Sequence, residues 1–389
     1  MVIQPKFRNN IFMNAHPVGC AVEVKRQVDY VRSKGKLTGG PRKVLVVGSS
    51  TGYGLASRIV AAFGYGAETF GVALEKEGSD KRPGTAGWYN TIAFEREAKG
   101  AGLACGSLNA DAFSNEVKAE AAKRLAESSG KVDLVVYSLA SPVRTDPVTG
   151  EMYKSVLKPI GRPYSARSVD MMSGEIKDFS VETASQDEID QTVKVMGGED
   201  WQLWIKALQE EDLLAPGAVT VAFSYLGPQM TYAIYREGTI GRAKEHLERT
   251  AGLLTERLVR LGGRAYVSVN KALVTRSSAV IPVVPLYISL LFKVMKEKGL
   301  HEGCIEQMRR LFAERLYSGG PAAVDAEGRI RIDDLELRED VQQEVARRWK
   351  EVRTDNFERL GDVEGYRKDF MNIHGFGVDG VDYDADVEP

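Results

Sequence analysis

Residues 43–55 read Lys43-Val44-Leu45-Val46-Val47-Gly48-Ser49-Ser50-Thr51-Gly52-Tyr53-Gly54-Leu55, an apolar run followed by three glycines and the start of an amphipathic stretch. Branched residues without a polar break suit a strand covered on both faces. Glycine permits positive φ and lets backbone amides approach a pyrophosphate, and a helix N-terminus immediately behind the turn supplies partial positive charge. Past the turn, Leu55, Ile59 and Phe63 recur every four residues on one helical face, and Gly64 is a fitting stop. Strand, glycine turn and helix in this order predict the first unit of a dinucleotide-binding α/β fold. Gly48, Ser49, Ser50, Thr51, Gly52 and Tyr53 are then its phosphate-facing turn.

Working outward, further runs rich in Val, Leu, Ala and aromatics occupy residues 69–74, 103–108, 132–139, 218–225 and 265–274, with helical segments between them. That alternation predicts a Rossmann-type, doubly wound parallel sheet with crossover helices. Between residues 141 and 201 the pattern turns irregular, and Thr-Asp-Pro, Gly-Arg-Pro and Met-Ser-Gly-Glu turns separate short hairpin candidates. This stretch reads as an insertion over the carboxyl edge of the sheet. No repeat or Gly/Ser linker divides the chain, so residues 1–389 are expected to form a single domain. Residues 1–40 are its N-terminal elaboration and residues 320–389 its C-terminal one.

Bulk composition excludes several classes. Lys plus Arg number 52 against 54 Asp plus Glu, so no excess of positive charge points to nucleic acid or an anionic membrane. Cys20, Cys105 and Cys304 are far apart and fit reduced thiols. His16, His246, His301 and His374 form no metal-spaced pair, and no metal is expected. The first residues lack the apolar core of a secretory signal, so the mature chain is expected to start as written. The longest uncharged apolar stretch, residues 277–292, is too short to cross a bilayer and is broken by Pro282 and Pro285. A cytoplasmic protein without a membrane span is expected.

Three positions extend the dinucleotide site. Glu75 lies 21 residues beyond Gly54, where such folds place an acid against the adenosine ribose, and its charge would repel a 2′-phosphate. That favours NADH over NADPH. Asp111-Ala112 and Leu139-Ala140 follow the third and fourth strands and are expected at adenine and at the nicotinamide-side ribose. A second pattern, Tyr235-Arg-Glu-Gly-Thr-Ile-Gly-Arg-Ala-Lys244, sets a tyrosine nine residues before a lysine. On one regular helix that offset is about 900°, which places the two on opposite faces. They converge only if Tyr235 lies in a preceding turn and Lys244 in the first turns of a helix running on through Glu248 and Leu253.

At this point the chain resembles the FabV-type enoyl-acyl-carrier-protein reductases and the bacterial trans-2-enoyl-CoA reductases, relatives of the short-chain dehydrogenases with a longer Tyr-to-Lys spacing. The resemblance covers nearly the whole chain, through RNNIFMNAHPVGC, GSSTGYGLASRI, AAFGYGA, PGTAGWYN, YSLASPVRTDP, VKVMGGEDW, YREGTIGRAKEHLE, VNKALVTRSSAVIPVVPLY and RIDDLEL. It implies NADH binding by the turn from Gly48 to Tyr53, by Leu74 and Glu75, by Asp111 and Ala112, by Leu139 and Ala140, by Lys244, and by Leu273, Val274 and Thr275. It also implies Tyr235 as proton donor, Tyr225 at the substrate, an enoyl-CoA or enoyl-acyl-carrier-protein substrate, and a monomer. Lys244 is further expected to lower the pKa of Tyr235. Two rival functions share this fold: a carbonyl reductase acting on 3-oxoacyl thioesters, and a non-enzymatic NADH sensor. The first usually sets Tyr and Lys four residues apart, and the second has no need of both.

Overall fold

The computed structural model describes residues 1–8, 11–128, 130–171, 173–276, 278 and 283–389. A hairpin of β1 (Phe7–Arg8) and β2 (Ile11–Phe12) and the helix α1 (Pro17–Ser33) come first. There follow β3 (Lys43–Val47), α2 (Gly52–Ile59), β4 (Glu68–Ala73), α3 (Ala86–Gly100), β5 (Cys105–Asn109), α4 (Asn115–Glu127) and β6 (Val132–Tyr137). The hairpins β7 (Val143–Thr145) with β8 (Met152–Lys154) and β9 (Tyr164–Val169) with β10 (Ile176–Val181) lead to α5 (Gln186–Met196) and α6 (Glu199–Glu210). The chain then returns through β11 (Leu214–Ser224), α7 (Thr239–Leu258), β12 (Arg264–Val269), α8 (Val284–Glu297), α9 (Cys304–Arg310) and β13 (Ile330–Arg331). It closes with α10 (Glu339–Glu351), α11 (Phe357–Leu360) and α12 (Val363–Asn372).

Seven strands form one sheet in the order β13-β12-β11-β6-β3-β4-β5, every neighbouring pair parallel. The chain starts at β3, runs outward to β5, and returns to β6 on the other side of β3. The strand order therefore reverses between β3 and β6, and in open sheets of this kind ligands bind beyond the carboxyl ends at that point. Successive side chains of β3 explain its unbroken apolar run. Val44 and Val46 enter the core shared with α1, α2, α3 and α9, whereas Leu45 and Val47 enter the core shared with α4, α6 and α7. Each of the four is fully buried.

The doubly wound sheet predicted from the sequence is present, with shifted edges. The run at 265–274 is a strand only to Val269, and residues 270–276 continue as irregular chain at the carboxyl edge. β13, two residues long, had no signal in the sequence. Leu55, Ile59 and Phe63 are all buried, and the helix they define runs on as a single π turn over Val60–Gly64. Val284, Ile288 and Phe292 lie on α8 in a third core with α10, α11 and α12. Residues 277 and 279–282, part of the apolar stretch noted above, lie outside the described residues. Among the described residues, no helix is long and apolar enough to cross a membrane.

Candidate active site

The turn after β3 is built by close approach. Gly48 has φ +85°, and a Cβ there would lie 2.3 Å from the Ser138 carbonyl oxygen; one on Gly54 would lie 1.9 Å from the Gly48 oxygen. Only glycine lets this turn sit against the end of β6. Thr51 opens α2 in an extended conformation without a side-chain cap, which leaves first-turn amides of the kind that bind anions. Across the turn, Tyr53 Oη donates to the Lys271 oxygen at 2.8 Å, and a Cβ on Gly52 would meet Thr275 Cγ2 at 3.9 Å. The glycine turn and the segment Leu273–Thr275 therefore face each other.

Leu74 and Glu75 follow β4 directly. The backbone of Glu75 is clamped by Asn109, whose side chain accepts from its N–H and donates to its oxygen. Its carboxylate accepts from Ser50 Oγ at 2.7 Å, within the glycine turn. Asp111 Oδ1 accepts from the Phe113 amide, which bends the chain after β5. The Ala112 oxygen accepts from Lys118 Nζ and from Trp204 Nε1. Lys118 is paired in turn with buried Asp200 at 2.8 Å. Leu139 is half-buried and Ala140 exposed just past β6. Every residue of the predicted dinucleotide set lies beyond the carboxyl ends of β3, β4, β5, β6 or β12, apart from Lys244 on α7.

The chemistry-bearing residues meet at the end of β11. Tyr235 lies in the turn before α7, its amide bonded to the Thr231 oxygen, and Lys244 sits in the second turn of that helix. The sequence geometry required this split. Lys244 Nζ donates to the Phe223 oxygen at 3.2 Å, two residues before Tyr225. The Tyr225 and Tyr235 rings meet edge to face, 5.3 Å between centroids at 89°. Burial pushes the Tyr235 phenol well up, and the nearby Glu336 charge adds to this. The expected lowering by Lys244 is absent, and the phenol stays protonated through neutral pH. Lys244 is lowered to about 8 by burial, with Glu248 opposing.

Beneath this pair lies a cluster that no local sequence pattern marked. Glu336 is fully buried and accepts from Tyr225 Oη at 3.1 Å, Tyr287 Oη at 2.7 Å and the Ala272 amide at 2.6 Å. Burial raises its carboxyl while the nearby Lys271 charge opposes that shift. Lys271 is buried as well, its Nζ 4.5 Å from the Phe292 ring centroid. The Tyr225 proton is thus committed to Glu336. The one available signal was membership of Glu336 in the RIDDLEL block. Arg144 on β7 is buried and donates to Glu199 and to the Lys194 oxygen.

These residues fit a bound dinucleotide. The cradle excludes any side chain at Gly48, and two buried polar atoms at the same edge, Ser224 Oγ and Asn270 Nδ2, have no hydrogen-bond partner among the described residues. Comparison with known proteins agrees. Residues 82–317 match the trans-2-enoyl-CoA reductase catalytic region, and residues 2–80 match the NAD(P)H binding domain of trans-2-enoyl-CoA reductase. Residues 324–387 match a family described as the enoyl reductase FAD binding domain. Within that segment Val341, Val345, Phe357 and Tyr366 are buried in the core against α8.

An enoyl-[acyl-carrier-protein] reductase [NADH] of Flavobacterium johnsoniae is 56% identical over 387 residues, covering 100% of this chain and 98% of the relative. The protein of that name from Coxiella burnetii is 56% identical over 390 residues, covering 100% of this chain and 96% of its own. The crystal structure of Treponema denticola trans-2-enoyl-CoA reductase in complex with NAD superposes with a TM-score of 0.97 at 55% identity, covering 100% of this chain and 98% of that one. The Clostridium acetobutulicum trans-2-enoyl-CoA reductase in complex with NADH superposes at 0.95 with 50% identity, over 100% and 98% of the two chains.

Proposed function

This chain belongs to the trans-2-enoyl-CoA reductase family, and from that premise we propose how its own residues divide the work of reducing an enoyl thioester with NADH. The protein is an NADH-dependent oxidoreductase that saturates the 2,3 double bond of an enoyl thioester. When bound, NADH would be held by the glycine turn, Glu75 and Lys244 and would supply the hydride needed at the β-carbon. The π electrons move toward the carbonyl, and the negative charge that develops on the thioester oxygen needs a donor. Tyr235 is that donor and the source of the proton that completes the α-carbon. Lys244 holds the ribose hydroxyls. Tyr225, whose own proton goes to Glu336, walls the substrate against Tyr235 rather than acting as a second acid.

The observation that carries this reading is the convergence of Tyr235, Tyr225 and Lys244 on the end of β11. The glycine turn, Leu74 and Glu75, Asp111 and Ala112, Leu139 and Ala140, and Leu273–Thr275 form the cofactor's side. The 389 residues are read as one reductase unit, and in support the third core holds Val169 together with Phe370, with Phe12 and Tyr53 from the N-terminal part packed against it. The reading extends to a cytoplasmic monomer, which light scattering of the purified protein tests. Relatives carry both carrier names, so kcat/KM on matched CoA and acyl-carrier-protein enoyl substrates assigns the carrier.

NADH oxidation with crotonyl-CoA against acetoacetyl-CoA is the decisive measurement. Turnover on crotonyl-CoA alone is expected; faster turnover on acetoacetyl-CoA would make the protein a carbonyl reductase, and turnover on neither would favour a sensor. Tyr235→Phe keeps the ring and deletes the donor. It is expected to bind NADH normally while kcat falls about a hundredfold or more. A near-wild-type kcat would remove Tyr235 from the chemistry.

A further inference from the structure

Glu75 does not stand alone at the adenosine end of the site. Arg276, next to Thr275, donates from Nη1 to Glu75 Oε1 at 2.9 Å and to Oε2 at 3.2 Å. The acid's side chain is 7% exposed and the arginine's 41%. A Cβ on Gly87 would lie 2.2 Å from Glu75 Oε1, so the first turn of α3 backs the carboxylate closely. The acid therefore sits pinned between Ser50, Arg276 and α3.

A bare carboxylate opposes a 2′-phosphate by like charge, but a carboxylate paired with a guanidinium presents little net charge. Guanidinium is also the group best matched to phosphate, through its fork of donors. Only Nη1 of Arg276 is engaged by Glu75 among the described residues. We infer that Arg276 is a specificity-determining residue, a latent 2′-phosphate ligand that Glu75 occupies, so that preference for NADH resides in the pair and not in the acid alone. The inference rests on the proposal that Glu75 meets the adenosine ribose.

Two opposite consequences follow from the pairing. Removing Glu75 abolishes repulsion and also releases Arg276 toward the phosphate. Removing Arg276 leaves an unscreened carboxylate and makes NADPH a poorer cofactor still. The test measures kcat/KM for NADH and NADPH with crotonyl-CoA in wild type, E75A, R276A, R276K and E75A/R276A. NADH titration and thermal melting of each variant run alongside.

E75A is expected to raise the NADPH-to-NADH ratio about tenfold or more, and the double variant to lose most of that gain. R276A alone is expected to lower the ratio about threefold or more, with R276K between it and wild type. If E75A/R276A retains the full gain, or if R276A weakens both cofactors equally, Arg276 has no part in discrimination and the inference is overturned. A ratio unmoved in E75A is a different failure: it displaces Glu75 from the ribose and takes the inference down with its premise.

Discussion

Lys244 illustrates how far one residue's chemistry depends on its surroundings. Burial disfavours its ammonium and lowers it to about 8, so the charge is present below that pH and is lost as pH rises through it. Because kcat/KM for a cofactor reports groups of the free enzyme, its logarithm for NADH is expected to be level at neutral pH and to fall above about pH 8. In Lys244→Arg the guanidinium stays charged across the range, and the falling limb should vanish. A wild-type profile level to about pH 10, where an ordinary lysine titrates, would show that the Lys244 charge does not hold the cofactor. The nine-residue spacing already required Tyr235 to leave the helix. Only the packed structure showed Lys244 reaching the Phe223 oxygen, or burial raising Tyr235 against the expected trend.

Among the elements, the turn after β5 shows a loop held from below. Lys118 on α4 donates to the Ala112 and Phe113 oxygens and is paired with Asp200 on α6, both side chains almost fully buried. Burial drives the Lys118 pKa down, with the Arg144 charge adding to it, and that of Asp200 up, and each partner opposes the other's shift. Lys118→Met leaves Asp200 buried without its cation. A loss of about 3–5 kcal/mol in urea unfolding is expected, as for other broken buried pairs. The Asp111–Ala112 turn also loses its clamp, so the NADH dissociation constant should rise in the folded variant. Unchanged NADH binding with the stability loss present would confine the pair to a purely structural part. Asp111-Ala112 was legible as a strand-end dipeptide, but its support was not, since Asp200 lies 82 residues beyond Lys118 on another helix.

At the scale of the whole molecule, the C-terminal segment reaches the catalytic end of the sheet through Glu336. Its three hydrogen bonds join Tyr225, Tyr287 on α8 and the chain leading to Leu273. Glu336→Gln keeps the volume but offers one acceptor oxygen where two were used, so part of the set must fail. About a tenfold loss of kcat is expected, with a smaller change in KM for NADH. Unchanged kcat with a lowered Tm would limit Glu336 to packing. The sequence by itself determined the parallel sheet, the glycine turn and the order of site segments along it, because strand period, helical period and the φ freedom of glycine are local properties. Tertiary structure alone decided the ion pair and the buried hydrogen bonds. Glu75 meets Arg276 across 201 residues, Tyr225 meets Glu336 across 111, and Ala272 meets Glu336 across 64. Coulomb attraction and burial act through space and leave no period in the chain, so those partners became visible only once the fold brought them within a few ångströms.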